Sequence, residues 1–161
     1  MINCRNRRPA GAPSSALALA LAAGLGLGMA LAPLSAQAHS YTLGKLAIGH
    51  LWAKPAAKGA DAVVYAPIFN MDSSAATLVG ASSPVAGKTL LRDGTDGADK
   101  VLDAIPLPPG KPVALAPWRA HIVLSNLKKT LKKGDAVDLD LDFGAAGKIS
   151  VAVEIEDEAS D

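Results

Sequence analysis

The chain has 161 residues, of which 50% are hydrophobic and only 4% aromatic, and its formal net charge at pH 7 is +1. This balance of sixteen basic and fifteen acidic side chains excludes the strongly basic surface of a typical nucleic-acid-binding protein. The length is sufficient for one domain with one hydrophobic core.

The amino terminus has the pattern of an export signal. Three arginines lie within the first eight residues, an uncharged apolar run follows at 16–34, and the small residues of "AQA" end at Ala38. A basic start, an apolar centre and a small-residue cleavage site are typical of a secretory signal peptide. We predict that residues 1–38 are cleaved and that the protein is periplasmic. An uncleaved anchor is the alternative, because the apolar run is about long enough to span a bilayer.

Cleavage after Ala38 would leave a mature chain that begins at His39 and contains no cysteine, because the single cysteine is Cys4. That cysteine comes too early to be a lipid-attachment site. The mature part holds all fifteen acidic residues but only thirteen basic ones, so its net charge is about −2. We expect one domain at 39–156, stabilised by its core without a disulfide, and a loose acidic tail at 157–161.

The carboxyl-terminal part predicts a β-hairpin. In "DAVDLDLDF" the apolar residues Val137, Leu139 and Leu141 alternate with aspartates, and "KISVAVEIE" repeats the alternation after the turn "GAAG". A period of two residues places one set of side chains in the core and the other in water. Two such segments joined by a glycine-bearing turn indicate an antiparallel pair with one wet face.

Upstream segments predict further short strands. They are "KLAIGHLWA", "AVVYAPIFN", "ATLVGASS", "KTLLRD", "PVALA" and "AHIVLSN", and turn-forming residues separate them. Since no segment has a sustained helical period, we predict an all-β fold, a Greek-key β-sandwich of seven to eight short strands. The predicted core includes Val64, Leu78, Leu91, Leu115, Ile122, Leu124, Leu139, Leu141, Val151 and Val153.

Motifs of common enzyme families are missing from the sequence. There is no P-loop, no glycine-rich nucleotide fingerprint, no G-x-S-x-G and no His-Glu-x-x-His. The mature part also has no cysteine that could serve as a nucleophile. We therefore expect a protein that is not an enzyme.

Three longer phrases carry a resemblance to a known family. "HLWAKPAAKGADAVVYAPIFN", "LVGASSPVAGKTLL" and "IPLPPGKPVALAPWRAHIVLSNLKKTLKKGDAVDLDLDF" resemble, in the right order, the periplasmic copper chaperones called PCu(A)C. The resemblance covers about residues 47–155. It implies a cupredoxin-like sandwich that carries Cu(I) on histidines and methionines at one rim and helps load copper into cytochrome c oxidase. Copper-assembly proteins of that oxidase are the implied partners.

The sequence departs from the family at most of the implied ligand positions. Arg92 and Gly94 stand where the family has histidine and methionine, and Val123 replaces the methionine of its His-x-Met motif. Cu(I) is a soft ion that favours thioether and imidazole donors, and Arg92 adds a positive charge that would repel it. A four-ligand site of the family type is therefore not expected here.

Two histidines remain as candidate metal ligands. His121 keeps the family's position, and its alternation with Ile122 and Leu124 predicts a side chain that faces outward. His39, as the first residue of the mature chain, would offer an α-amine and an imidazole, a pair that chelates Cu(II).

Two other residues of metal-binding type are interpreted as structural or incidental. We expect His50 to cap or line a strand edge and Met71 to lie exposed in a turn. Two functions stay open: a divergent copper chaperone, or a metal-free β-sandwich that has lost the Cu(I) site and binds another protein.

Overall fold

The structure is a computed structural model that describes residues 40–97 and 99–157. The predicted signal peptide, His39 and the end of the acidic tail, 158–161, lie outside these described residues. Within the described ranges, no helix has the length and apolar character needed to cross a membrane.

The described residues form β-strands joined by turns, which confirms the all-β prediction. Two 3-10 turns interrupt the strands, at Thr95–Gly97 and Gly144–Ala146. The strands are β1 (Tyr41–Leu43), β2 (Leu46–Ile48), β3 (Trp52–Ala53), β4 (Ala62–Asn70), β5 (Ala76–Leu78), β6 (Gly80–Ser82), β7 (Ala86–Asp93), β8 (Lys100–Leu102), β9 (Ile105–Leu107), β10 (Pro112–Leu115), β11 (Ala120–Leu127), β12 (Ala136–Asp142) and β13 (Lys148–Ile155).

These strands are shorter and more numerous than the predicted segments. The segment "KLAIGHLWA" is divided into β2 and β3 at Gly49, whose N–H donates to the carbonyl of Pro67 at 2.8 Å. The segments around Gly49 and Pro67 approach so closely that a Cβ at Gly49 would lie 2.6 Å from Cγ of Pro67. The sequence patterns did not predict β1, β8 and β9, each three residues long.

Strand β4 is the centre of the fold, because it belongs to two curled sheets. Its first residues pair with β3 and β11, in a sheet whose order is β6-β12-β13-β3-β4-β11-β7-β8. Its later residues pair with β2 and β10. A separate pair, β5 with β9, completes the described strands. This change of partners along one strand is a common way for a β-sandwich to turn a corner.

The predicted carboxyl-terminal hairpin is present in the structure. Strands β12 and β13 pair antiparallel over seven residue pairs, from Ala136 opposite Glu154 to Asp142 opposite Lys148. Val137, Leu139, Leu141 and Phe143 are buried, whereas Asp138 and Asp140 are exposed. The alternation therefore positions one face of the hairpin in the core and the other in water.

All ten residues predicted for the core are buried, and none exceeds 6% exposure. They belong to one continuous hydrophobic cluster that draws side chains from both sheets. Among the described residues, Asn70 is a buried polar side chain, and its amide donates to the carbonyls of Ser74 and Leu107, each at 2.9 Å. A core of this kind fits a small domain that folds without a disulfide.

Candidate metal sites

His121 lies near the start of β11, directly opposite Arg92 of β7. The predicted alternation is confirmed, because Ile122 and Leu124 are fully buried in the core. The outward position predicted for His121 needs a correction, however. Both His121 and Val123 are only 5% exposed. The turn before β11 and the loop after β7 cover this face of the sheet, and period-two patterning does not report such coverage.

A single backbone carbonyl fixes the imidazole of His121. The carbonyl oxygen of Arg119 lies 2.8 Å from Nδ1 of His121 and also accepts the N–H of Gly94 at 3.0 Å. A carbonyl is an acceptor only, so Nδ1 must be the protonated nitrogen that donates. Nε2 then keeps its lone pair, which is the arrangement that metal-binding histidines adopt when a second group orients them.

The side chain of His121 borders an open cavity of about 320 Å³. Two aspartates in its wall are already engaged. Asp99 forms an ion pair with Arg92, and Asp61 accepts hydrogen bonds from the hydroxyl of Ser125 at 2.8 Å and the backbone N–H of Asn126 at 2.9 Å. The positive charge of Arg92 is therefore balanced within the cavity wall. The lining residues are Asp61, Val63, Arg92, Gly94, Gly97, Asp99, Pro117, His121 and Val123.

The loop beside this cavity is organised by a carboxylate. Asp93 accepts hydrogen bonds from the hydroxyl of Thr95 at 2.5 Å and from its backbone N–H at 2.9 Å. These two bonds hold the pKa of Asp93 below its usual value, with a smaller contribution from the charge of Lys100. Asp93 is therefore a structural anion of the turn.

Gly94 leaves no space for a side chain. A Cβ at this position would lie 1.7 Å from the carbonyl oxygen of Pro117 and 3.5 Å from Cε1 of His121. Real Cβ atoms do not approach an oxygen so closely, so the family's methionine could enter only if the Pro117 peptide moved. The glycine is part of a different local packing in which the turn before β11 rests on the loop after β7.

Among the described residues, no second soft donor lies near His121. Met71, the only methionine among the described residues, is 50% exposed just beyond the far end of β4. It lies seven residues past Val64, which pairs with Ile122. At about 3.3 Å per residue, Met71 lies roughly 23 Å along the strand from Val64. His39 lies outside the described residues, so its position relative to His121 stays a prediction.

A second cluster, which the sequence patterns did not predict, consists of His50, Glu154 and Glu156. One potential ligand atom from each lies within 4.8 Å of the others, and Nε2 of His50 is 3.2 Å from Oε2 of Glu156. Among the described residues this is the one group of three such side chains that could hold a metal ion. The alternating pattern placed both glutamates on a wet face, but no local signal could bring His50 to them across 106 positions.

Comparison with solved structures defines the class of fold. The apo PCuAC domain from PmoF1 is 28% identical, covers 74% of this chain and 100% of its own, and superposes with a TM-score of 0.67. The copper-bound PCuAC domain from PmoF2 is 27% identical, with coverage of 74% and 99% and a TM-score of 0.66. CuI-DR1885 from Deinococcus radiodurans is 25% identical, with coverage of 76% and 83% and a TM-score of 0.58. The fold is therefore that of a PCuAC domain, as the sequence phrases indicated.

The family follows from a sequence model. The model described as "lipoprotein LpqE-like" matches residues 46–155, well over half of the chain. The chain belongs to the LpqE-like family. Among curated proteins, no sequence matches it.

Proposed function

We propose that this protein is an exported copper-binding protein of the PCuAC type that holds copper weakly, through His121. The observation that carries the proposal is the imidazole of His121. This side chain lies on the strand and at the motif position implied by the resemblance. The Arg119 carbonyl fixes Nδ1, so the lone pair of Nε2 can bind a metal, and the side chain borders a cavity. Similarity to a copper-bound PCuAC domain supports copper as the metal.

The surroundings of His121 support weak and exchangeable binding. Imidazole is a good donor for Cu(I), but Arg92, Gly94 and Val123 supply no thioether or second imidazole. A single protein donor leaves coordination positions for water or for a donor from a partner. Such a site suits transfer of copper better than its storage, and we propose a non-enzymatic role in copper delivery, with the copper-assembly proteins of cytochrome c oxidase as partners.

His39 is proposed as the second ligand. If the signal peptide is cleaved after Ala38, the new α-amine and the imidazole of His39 form a chelating pair for Cu(II). This part of the proposal also requires export to the periplasm, which the basic, apolar and small-residue pattern of residues 1–38 supports. Amino-terminal sequencing of the exported protein tests the cleavage site directly.

Exposed apolar side chains near the same rim favour a second candidate function. Val101, opposite Arg92 in the sheet, is 62% exposed, and Trp118, in the turn before β11, is 66% exposed. Tryptophan is enriched at the energetic centres of protein interfaces. A metal-free interaction module that uses this surface is therefore the alternative to copper binding.

The test is a Cu(I) competition titration of the exported protein with a chromophoric chelator. We expect measurable binding that falls by about tenfold or more in His121→Ala, since the fixed imidazole is lost. Val101→Ser is the matched control on the same rim and should bind copper like the wild type. Equal Cu(I) affinity in the wild type and His121→Ala would contradict the proposed site and favour the interaction module.

A further inference from the structure

We propose that His50, Glu154 and Glu156 form a binding site for a divalent first-row transition ion, zinc being the first candidate. This site is separate from the one at His121 and does not depend on the proposed copper function. These three residues constitute the His50 site.

The sheet places the three donors on one surface. Glu154 and Glu156 are two residues apart, so their side chains point to the same side of the strand. Val153, before Glu154, and Ile155, between the two glutamates, point to the other side and are buried in the core. His50 reaches this surface from the connection between β2 and β3. Its Nε2 atom lies 3.2 Å from the Glu156 carboxylate. The three ligand atoms are thus close enough to share one ion with small side-chain rotations.

Backbone hydrogen bonds fix the main chain of both glutamates and of the residues on either side of His50. The N–H of Glu154 donates to the carbonyl of Leu51, and the N–H of Glu156 donates to the carbonyl of Ala53, each at 2.9 Å. On the other side of His50, Gly49 is bound to Pro67 and has no space for a Cβ. Leu51 itself is 1% exposed. The donors are therefore held by rigid elements, which lowers the cost of organising them around an ion.

Burial and charge also favour a cation. The side chains of His50 and Glu156 are only 13% and 18% exposed, so they are partly shielded from water. Two carboxylates and one neutral imidazole would neutralise a divalent ion. Lys133 borders the same cavity as Glu154 and Glu156, of about 370 Å³. Its positive charge would compete with a bound ion for the two carboxylates. We therefore expect moderate, exchangeable affinity.

The donor types decide which ion fits. One nitrogen and two carboxylate oxygens suit zinc, cobalt(II) and copper(II), whereas Cu(I) prefers sulfur and imidazole. Three protein ligands with a water in the fourth position is also a common arrangement for zinc. The His50 site should therefore bind a divalent ion such as zinc in preference to Cu(I), the softer ion proposed for His121.

The His50 site is distant from His121 on the same sheet. The sheet order β13-β3-β4-β11 places Glu154 and His121 three strand spacings apart. At about 4.8 Å per spacing, this is roughly 14 Å. One ion therefore does not bridge the two sites, and each is tested without disturbing the other.

The test uses zinc by titration calorimetry and cobalt(II) by visible absorption, with the exported protein. We expect one ion per chain with micromolar affinity in the wild type. His50→Gln and Glu156→Gln should each weaken zinc binding by about tenfold or more. Both glutamines keep a hydrogen-bonding side chain of similar length, so the variants should fold. Asp138→Asn, which removes a charge from the exposed face of the neighbouring β12, is the matched control and should bind zinc like the wild type.

The chain's other histidines must be separated from this result. His121→Ala, and a variant with an extra residue before His39, should both retain zinc binding. If His50→Gln and Glu156→Gln fold and bind zinc as well as the wild type, or if the wild type does not bind zinc at millimolar concentration, His50 and Glu156 are only a structural ion pair. Either result overturns the His50 site and leaves the His121 proposal standing.

Discussion

Around His121 the sheet offers one imidazole beside an arginine, a glycine and a valine, whereas around His50 it offers one imidazole beside two carboxylates. Strand pairing fixes the main chain of His121, hydrogen bonds fix the residues on either side of His50, and both histidine side chains are largely buried. The difference lies in the neighbouring donors. Position in a family fold indicates where a metal could bind, but the softness and charge of the neighbouring side chains decide which ion could bind there. Five predictions test this comparison, from the largest expected effect to the smallest.

Loss of the shared scaffold should abolish both sites at once. Leu141 is fully buried in β12, between Ile149 of β13 and Ala81 of β6. Leu141→Asp loses about 1.5–3 kcal/mol of apolar burial and adds an unpaired buried charge that costs several kcal/mol more. Since a small domain is stable by only about 5–15 kcal/mol, we expect an unfolded protein by circular dichroism. The neighbouring Asp140→Asn should remain folded, and a native spectrum for Leu141→Asp would contradict the described core.

Adding soft donors beside His121 should increase the Cu(I) affinity of this site. Arg92→His places a second imidazole directly opposite His121, and Val123→Met adds a thioether two residues further along β11. We expect the double variant to bind Cu(I) more tightly than the wild type by about tenfold or more per added donor. Competition titration measures this gain. Arg92→Gln with Val123→Leu is the control without new donors, and equal affinity in the two double variants would argue against this rim.

Adding Gly94→Met to that double variant should harm the protein. Its Cβ would collide with the carbonyl oxygen of Pro117, so the loop after β7 must shift. We expect a loss of about 1–3 kcal/mol in the free energy of unfolding, measured by chemical denaturation. The shift also disturbs the Arg119 carbonyl that orients His121. An unchanged stability would show that the turn before β11 is more adaptable than the structure indicates.

Removing a competing cation should raise the zinc affinity of the His50 site slightly. Lys133 borders the cavity of Glu154 and Glu156 and also forms an exposed ion pair with Asp157 at 2.7 Å. Exposed charges interact weakly, so Lys133→Met should raise zinc affinity by only about twofold to fivefold. Lys132→Met, at an exposed neighbouring position outside that cavity, is the control. A decrease in affinity for Lys133→Met would mean that the lysine positions the glutamates instead of competing with the ion.

The smallest effect concerns acid stability of the loop beside His121. The hydroxyl of Thr95 is the main cause of the lowered pKa of Asp93. A carboxyl whose pKa is lower in the folded state stabilises the protein above its unfolded pKa, near 3.8, and loses that contribution as the pH falls through the folded pKa. Thr95→Val should raise the pKa of Asp93 and make unfolding less sensitive to pH in this acidic range. NMR titration of Asp93 measures the pKa, and no change in Thr95→Val would contradict this cause.

Sequence patterns predicted much of this fold because its longer strands alternate regularly. The spacing of apolar residues alone identifies the buried face of the strands that contain Val137 to Phe143 and Val151 to Ile155. Strands β1, β8 and β9 were not predicted because each is an isolated three-residue strand, too short to show a period, whereas the equally short β2, β5 and β6 lie inside longer apolar segments. For the candidate sites, the sequence around His121 predicted that this residue lies on a strand. It did not predict that the turn at Pro117 covers that face of the strand. The His50 site depends on a contact between residues that are 106 positions apart, and no local pattern encodes it.

The position of β4 in both sheets has a consequence for how the molecule opens. Residues Ala62–Asn70 are paired on both sides, with β3 and β11 over the first part and with β2 and β10 over the second. Amide hydrogens in such a strand exchange with solvent only when several neighbours separate together. We therefore expect the amides of β4 to exchange at the rate of global unfolding. The short outer strand β8, which pairs with β7 alone, should exchange through local fraying.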